Sequence, residues 1–193
     1  MPDRSIIIAT RGSALALAQA NHVFDECRRL FPRLAFEIKI IKTTGDKLQS
    51  ASLAQAGQSL PKGLFTKELE VALLRNQADL AVHSLKDVPT ELPAGLTLGA
   101  VGKRADPRDV LIYKTDAGSD GPLSQLGEGA LVATSSTRRQ AQLRASRPDL
   151  QLEEIRGNIS TRLEKLVEND GLAGTLLAAA GLARLHFSIT KDG

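Results

Sequence analysis

Ala130-Leu131-Val132-Ala133-Thr134-Ser135-Ser136-Thr137-Arg138-Arg139 reads as a strand running straight into a helix. The opening residues are apolar or small, as in a strand covered on both faces. Four hydroxyl residues follow, the chemistry of an N-cap, and two guanidiniums then fall in the first helical turn. A helix N-terminus offers unpaired N–H groups and the positive end of a dipole. Hydroxyls add donors, and arginine adds planar, bidentate charge. The junction is therefore suited to an anion, either phosphate or carboxylate. Cations in a first turn oppose the dipole by roughly a few tenths of a kcal/mol or more, so the placement predicts a compensating ligand.

Working outward, comparable basic junctions recur in Thr10-Arg11-Gly12-Ser13, in His83-Ser84-Leu85-Lys86-Asp87 and in Ile155-Arg156-Gly157-Asn158-Ile159-Ser160-Thr161-Arg162. Several such sites in one small chain imply a ligand with several acidic arms. The surrounding pattern alternates strand and helix. Arg4 to Ala9 predicts a buried strand, and Ser13 caps a helix running to about Leu30, ended by Pro32. Phe36, Ile38 and Ile40 alternate with Glu37 and Lys39 in a half-buried strand. A helix over Thr66 to Asn76 and a strand over Asp79 to His83 follow. The second half predicts strands at Asp109 to Tyr113, Ala130 to Thr134, Gln151 to Ile155 and Thr175 to Ala178. Its helices are expected at Ser136 to Arg147 and Asn158 to Glu168.

This order predicts an α/β protein with mixed, mostly parallel sheets. Residues 1–101 and 102–193 are expected to form two domains separated by a polar crossing at Val101 to Arg108, with a cleft between them. Ligands of open α/β sheets bind outside the carboxyl ends of the strands, which is where each arginine cluster falls. The stretch between Lys42 and Leu64 has no sustained period and reads as a functional lid or a disordered loop. Gly118 to Gly129 reads as a surface loop.

Composition narrows the class. A chain of 193 residues with one cysteine and no Trp reads as an intracellular globular protein rather than a disulfide-stapled secreted one. No run approaches membrane-spanning length, so a cytoplasmic location is expected. The net charge of +3 permits an acidic partner, but five Phe and one Tyr without a basic stripe argue against nucleic acid.

Each candidate residue has a bland alternative. Lys86-Asp87 precedes Val88-Pro89, which should hold the backbone extended, so the pair sits at a strand end. An aspartate among cations can stabilise a substrate cation or relay a proton; the alternative is a surface turn. Arg138, Arg139, Arg156 and Arg162 taken singly could be a solvated helix face paired with Glu153, Glu154 and Glu164. Cys27 repeats with Leu17, Ala20 and Phe24 at helical spacing and reads as core, and His83 as a hydrogen-bonded structural histidine. No metal-ligand spacing, P-loop or dinucleotide fingerprint is present.

Read in order, Ile8-Ala9-Thr10-Arg11-Gly12-Ser13, Lys62-Gly63-Leu64-Phe65, Ala81 to Pro89, Asp106-Pro107-Arg108-Asp109, Thr134 to Gln142, Arg156 to Leu163 and Leu177 to Leu182 resemble porphobilinogen deaminase, also called hydroxymethylbilane synthase. The resemblance covers nearly the whole chain. It implies a transferase of tetrapyrrole and haem biosynthesis that condenses four porphobilinogen molecules into hydroxymethylbilane, releasing ammonia at each step. It also implies two domains of periplasmic-binding-protein type, and a monomer that binds porphobilinogen and oligopyrrole intermediates. By motif position, Asp87 matches the catalytic aspartate. Arg11, Ser13, Arg156, Arg162 and the loop residue Lys62 match positions that hold substrate carboxylates. Lys86, Ser84, Thr134, Ser136, Arg138, Arg139 and Asn158 match positions that hold a dipyrromethane cofactor.

The same resemblance carries departures. The family tethers its dipyrromethane to a cysteine of a third domain, and Cys27 does not match that position. The expectation is therefore two domains, the first without its return segment, and no tethering domain. The alternative is a non-catalytic polycarboxylate-binding module or an inactive fragment of the synthase.

Overall fold

The computed structural model describes residues 4–46, 63, 65–114, 123 and 126–189. The chain divides into two compact units, Met1–Gly102 and Lys103–Gly193. Among the described residues no helix is long and apolar enough to cross a membrane.

In the first unit, β1 (Ile6–Thr10) lies between β2 (Phe36–Ile40) and β3 (Leu80–Ala81), and all three strands run parallel. Helix α1 (Ala14–Leu30) begins where the Ser13 hydroxyl accepts the Ala16 N–H at 3.3 Å. Arg28 and Arg29 complement the dipole in its last turn, and the chain leaves the helix at Phe31-Pro32. Helix α2 (Lys67–Leu74) carries Glu68 and Glu70 in its first turn, the favourable sign at that end. Its Leu69 and Ala72, three residues apart, are buried, and Leu69 packs on Ala9 of β1 and on Ala78. Leu69 is fully enclosed, which contributes about 1.5–3 kcal/mol of transfer free energy.

Two expectations need adjustment here. The strand predicted over Asp79 to His83 contracts to Leu80–Ala81, although Asp79 N–H still donates to Ile7 C=O and Val82 N–H to Ala9 C=O. The Asp79 carboxylate instead accepts two bonds from Arg4 and the Ile7 N–H, drawing the strand entrance into an ion pair. Cys27 is only half-buried, because Ala20 is the one fully buried residue of α1.

The second unit holds a four-stranded sheet in the order β4 (Asp109–Tyr113), β7 (Gly174–Ala178), β5 (Leu131–Ala133), β6 (Gln151–Glu153). Strands β5, β6 and β7 are parallel, while β4 runs antiparallel to β7 and pairs Asp109 with Ala178. Helices α3 (Thr137–Ser146) and α4 (Ile159–Glu168) cover opposite faces. Adjacent strand residues point to opposite sides. Val132 accordingly packs with Leu143 of α3, and Ala133 with Leu166 of α4. A short α5 (Ala179–Arg184) follows β7 directly, and its Leu182 closes a cluster with Val110 and Leu177. The expected α/β class with mixed, mostly parallel sheets is therefore the fold observed.

The turn into α4 depends on Gly157. Its φ is +124°, and a Cβ there would lie 2.8 Å from Thr161 Cγ2 and 2.9 Å from Thr161 Cβ. Thr161 has no room to yield, since its N–H and hydroxyl both donate to Asn158 Oδ1, at 2.9 and 3.0 Å. Gly157→Ala is expected to destabilise the second unit by about 1–3 kcal/mol, measured by urea unfolding. Unchanged stability would mean that α4 can shift to admit the methyl group.

Candidate functional site

Because β1, β2 and β3 are parallel, their carboxyl ends share one edge, and the residues that follow them gather there. Arg11 follows β1, Thr43 and Asp46 follow β2, and Ser84 to Asp87 follow β3. Arg11 Nε donates to Asp46 Oδ1 at 3.1 Å, its Nη2 donates to the same oxygen, and its Cζ lies 4.1 Å above the centre of the Phe65 ring. Asp46 Oδ2 accepts the Thr43 hydroxyl at 2.7 Å and the Thr43 N–H at 3.2 Å. Burial pushes the Asp46 carboxyl up, but hydrogen bonds from Arg11 and Thr43 outweigh it and hold the group below its ordinary value. Arg11 is thus fixed before any ligand arrives, with its side chain 15% exposed.

Ser84 donates its hydroxyl to Gln19 Oε1 at 2.9 Å. Leu85–Asp87 then form a single 3₁₀ turn, closed by Asp87 N–H to Ser84 C=O at 2.9 Å. Val88 is extended at φ −77°, ψ 132°, as the following proline requires. Lys86 and Asp87 are exposed on this turn, so the carboxylate is presented to solvent at the sheet edge. His83 is pushed down by burial, which outweighs the opposing charge of Asp87.

In the second unit the antiparallel strand decides the electrostatics. Three strands end at one edge; β4 starts there and brings Asp109 to it. Asp109 Oδ2 accepts Arg138 Nη2 at 2.8 Å, and Oδ1 accepts Arg139 Nη2 at 2.6 Å. Burial pushes the Asp109 carboxyl up, but the two arginine hydrogen bonds prevail and hold it below its ordinary value. Arg139 also donates Nη1 to Leu176 C=O at 2.9 Å, and Arg138 donates Nη1 to Gln142 Oε1 at 2.8 Å. The two neighbours differ in exposure, with the Arg138 side chain at 61% and that of Arg139 at 12%. Contrary to the expectation from the sequence, cations on this first turn do not depend on an outside ligand: an internal carboxylate, about thirty residues earlier in the chain, already offsets them.

The other predicted residues have local partners as well. The Ser136 hydroxyl caps α3 by accepting the Arg139 N–H at 3.4 Å, and Asn158 caps α4. Thr134 is fully buried, with its hydroxyl oxygen accepting the Ser136 N–H at 3.3 Å. Arg156 follows the bland reading, exposed and paired with Glu154 at 3.1 Å, a contact worth little in solvent. Arg162 donates Nε to Gly157 C=O at 2.9 Å; burial, and then the charge of Arg139, push it below the usual guanidinium value. Arg139 Nε is buried without a hydrogen-bond partner. This cluster therefore carries more donor capacity than Asp109 satisfies. Lys62 lies outside the described residues.

Residues of the site given no role from the sequence are Asp109, Asp46, Thr43, Phe65, Gln19 and Gln142, although Phe65, Asp109 and Gln142 fall within the motifs that carry the resemblance. For Asp109 a signal existed in Asp109-Val110-Leu111-Ile112-Tyr113, where a charge opens an otherwise apolar strand.

The sequence profile of the family described as "Porphobilinogen deaminase, dipyromethane cofactor binding domain" matches residues 6–192. The chain belongs to this family. Among curated porphobilinogen deaminases, that of Syntrophomonas wolfei is 51% identical over 182 residues, covering 94% of this chain. That of Syntrophobacter fumaroxidans is 49% identical over 185 residues, covering 96% of this chain. The chloroplastic porphobilinogen deaminase of Euglena gracilis is 49% identical over 185 residues. The chain spans 57% of the length of each of the two bacterial deaminases and 38% of the Euglena one.

Proposed function

We propose that the chain carries the catalytic aspartate and the carboxylate-gripping residues of a hydroxymethylbilane synthase, which condenses four porphobilinogen molecules stepwise with loss of ammonia. The observation that carries this reading is the exposed Asp87 carboxylate on a turn at a sheet edge that also bears Arg11 and Ser84. The second unit supports it with Arg138, Arg139 and Arg162, a cation cluster with a buried, unpaired Nε.

That donor set fits a dipyrromethane, whose acetate and propionate arms are carboxylates suited to bidentate guanidinium contacts. Lys86, Ser84, Thr134, Ser136, Arg138, Arg139 and Asn158 would hold it. When bound it supplies the pyrrole carbon to which the next ring is joined. Arg11, Ser13, Arg156, Arg162 and Lys62 would hold the carboxylates of incoming porphobilinogen. Loss of ammonia from the aminomethyl group leaves a cationic pyrrole. Asp87 accepts the pyrrole N–H and stabilises that charge. The arginines lie in small groups after the strands rather than in a stripe with interleaved aromatics, which supports a small polycarboxylate over nucleic acid. A monomer acting in the cytoplasm completes the reading.

The test is a chimera in which this chain replaces the matching segment of the Syntrophomonas wolfei relative. Given porphobilinogen, it is expected to release ammonia and form hydroxymethylbilane, with pyrrole adducts visible by denaturing mass spectrometry. A folded chimera that binds pyrroles but releases no ammonia would leave a binding module and overturn the enzyme reading.

A further inference from the structure

We propose that Asp109 is a positioning residue for this anion site: together with Gln142 it clamps Arg138 from both sides and sets the direction in which its guanidinium meets a ligand carboxylate. The inference rests on the reading that Arg138 binds carboxylate.

Arg138 has one donor on each of its two terminal nitrogens held by neighbours of different origin. Gln142, one helical turn ahead, accepts from Nη1 at 2.8 Å; Asp109, from strand β4, accepts from Nη2 at 2.8 Å. An arginine with a side chain 61% exposed would otherwise sample many rotamers, and ordering it at the moment of binding costs free energy. Holding it between two acceptors removes that cost beforehand. Asp109 is itself fixed, because its second oxygen is held by Arg139, whose other terminal nitrogen is anchored on the β7 backbone at Leu176. A chain of contacts therefore runs from the β7 backbone through Arg139 and Asp109 to the exposed guanidinium. Asp109 also offsets like-charge repulsion between adjacent arginines, so both can occupy a first turn without a ligand. Its strand direction makes this possible. In a fully parallel sheet the same residue would start at the opposite edge.

The experiment uses the 193-residue chain and a synthetic dipyrromethane bearing acetate and propionate arms, with affinity read by calorimetry and stability by urea unfolding. Asp109→Glu keeps the charge and displaces it by one methylene. It is expected to retain stability close to the parent while losing about tenfold in affinity. Gln142→Ala, an exposed helical position expected to fold normally, should lose about threefold. In an Arg138→Ala background both losses should vanish, whereas in an Arg156→Ala background they should persist. A purely structural Asp109 predicts parent affinity for Asp109→Glu and no coupling to Arg138; that result, or parent affinity for both variants, overturns the proposal. If the parent chain itself does not bind the probe, the carboxylate reading of the site fails and this inference falls with it. Binding by the parent with unaltered binding by the variants sinks the inference alone.

Discussion

Asp87→Glu, placed in the chimera with the Syntrophomonas wolfei relative, is expected to keep its bound pyrroles and lose about 10²–10⁴-fold in kcat. The side chain stands on the exposed 3₁₀ turn Leu85–Asp87, away from the packed core, so the substitution should alter stability by no more than about 0.5 kcal/mol. Glutamate preserves the charge and moves it by one methylene. The loss therefore measures how closely the carboxylate must approach a developing cation, and not whether a negative charge is present nearby. KM should change little, since the carboxylates of the substrate are assigned to arginines elsewhere. Mass spectrometry of the variant reports retained pyrrole adducts, and an ammonia assay reports turnover. Undiminished turnover would remove Asp87 from the reaction.

Arg139→Ala is expected to be the most damaging change at the arginine pair, lowering the stability of the second unit by about 2–4 kcal/mol, while Arg138→Ala costs about 1 kcal/mol or less. The residues are adjacent, but Arg139 is largely enclosed and joins Asp109 to the β7 backbone, and Arg138 is mostly in solvent. Removing Arg139 leaves a half-buried carboxylate with only its exposed partner. The pH dependence gives a second reading. The Asp109 carboxyl is held below its ordinary value in the folded chain, so its contribution is complete above the unfolded value near about 3.9 and is lost as pH falls through the folded one. Arg139→Ala raises the folded value and should therefore flatten the loss of stability between roughly pH 5 and pH 2. Urea unfolding of parent and variants across that range checks both claims; equal costs for the two arginines would contradict the assigned difference in burial.

Much of the fold was legible because its signals are local. Ser13 and Ser136 announce helix starts by hydroxyl chemistry, and Phe36-Glu37-Ile38-Lys39-Ile40 announces a strand by alternation. The arginine junctions likewise sit at strand ends, as expected. What could not be read was long-range. Nothing within a few residues of Arg138 says that a carboxylate from β4 will meet it, because that depends on β4 running against β7. The same holds for Arg11, whose partners Asp46 and Phe65 lie on either side of a long connection. The cations do need an anion, and the chain itself provides one.

The reversal of β4 has a consequence for how the second unit opens. Local fraying of that strand withdraws Asp109 and with it one hold on each guanidinium, so integrity of the sheet margin and readiness of the arginines are coupled. A ligand that requires the guanidiniums in place then acts as a fastener on an edge strand it never touches, protecting the β4–β7 amides in proportion to its occupancy.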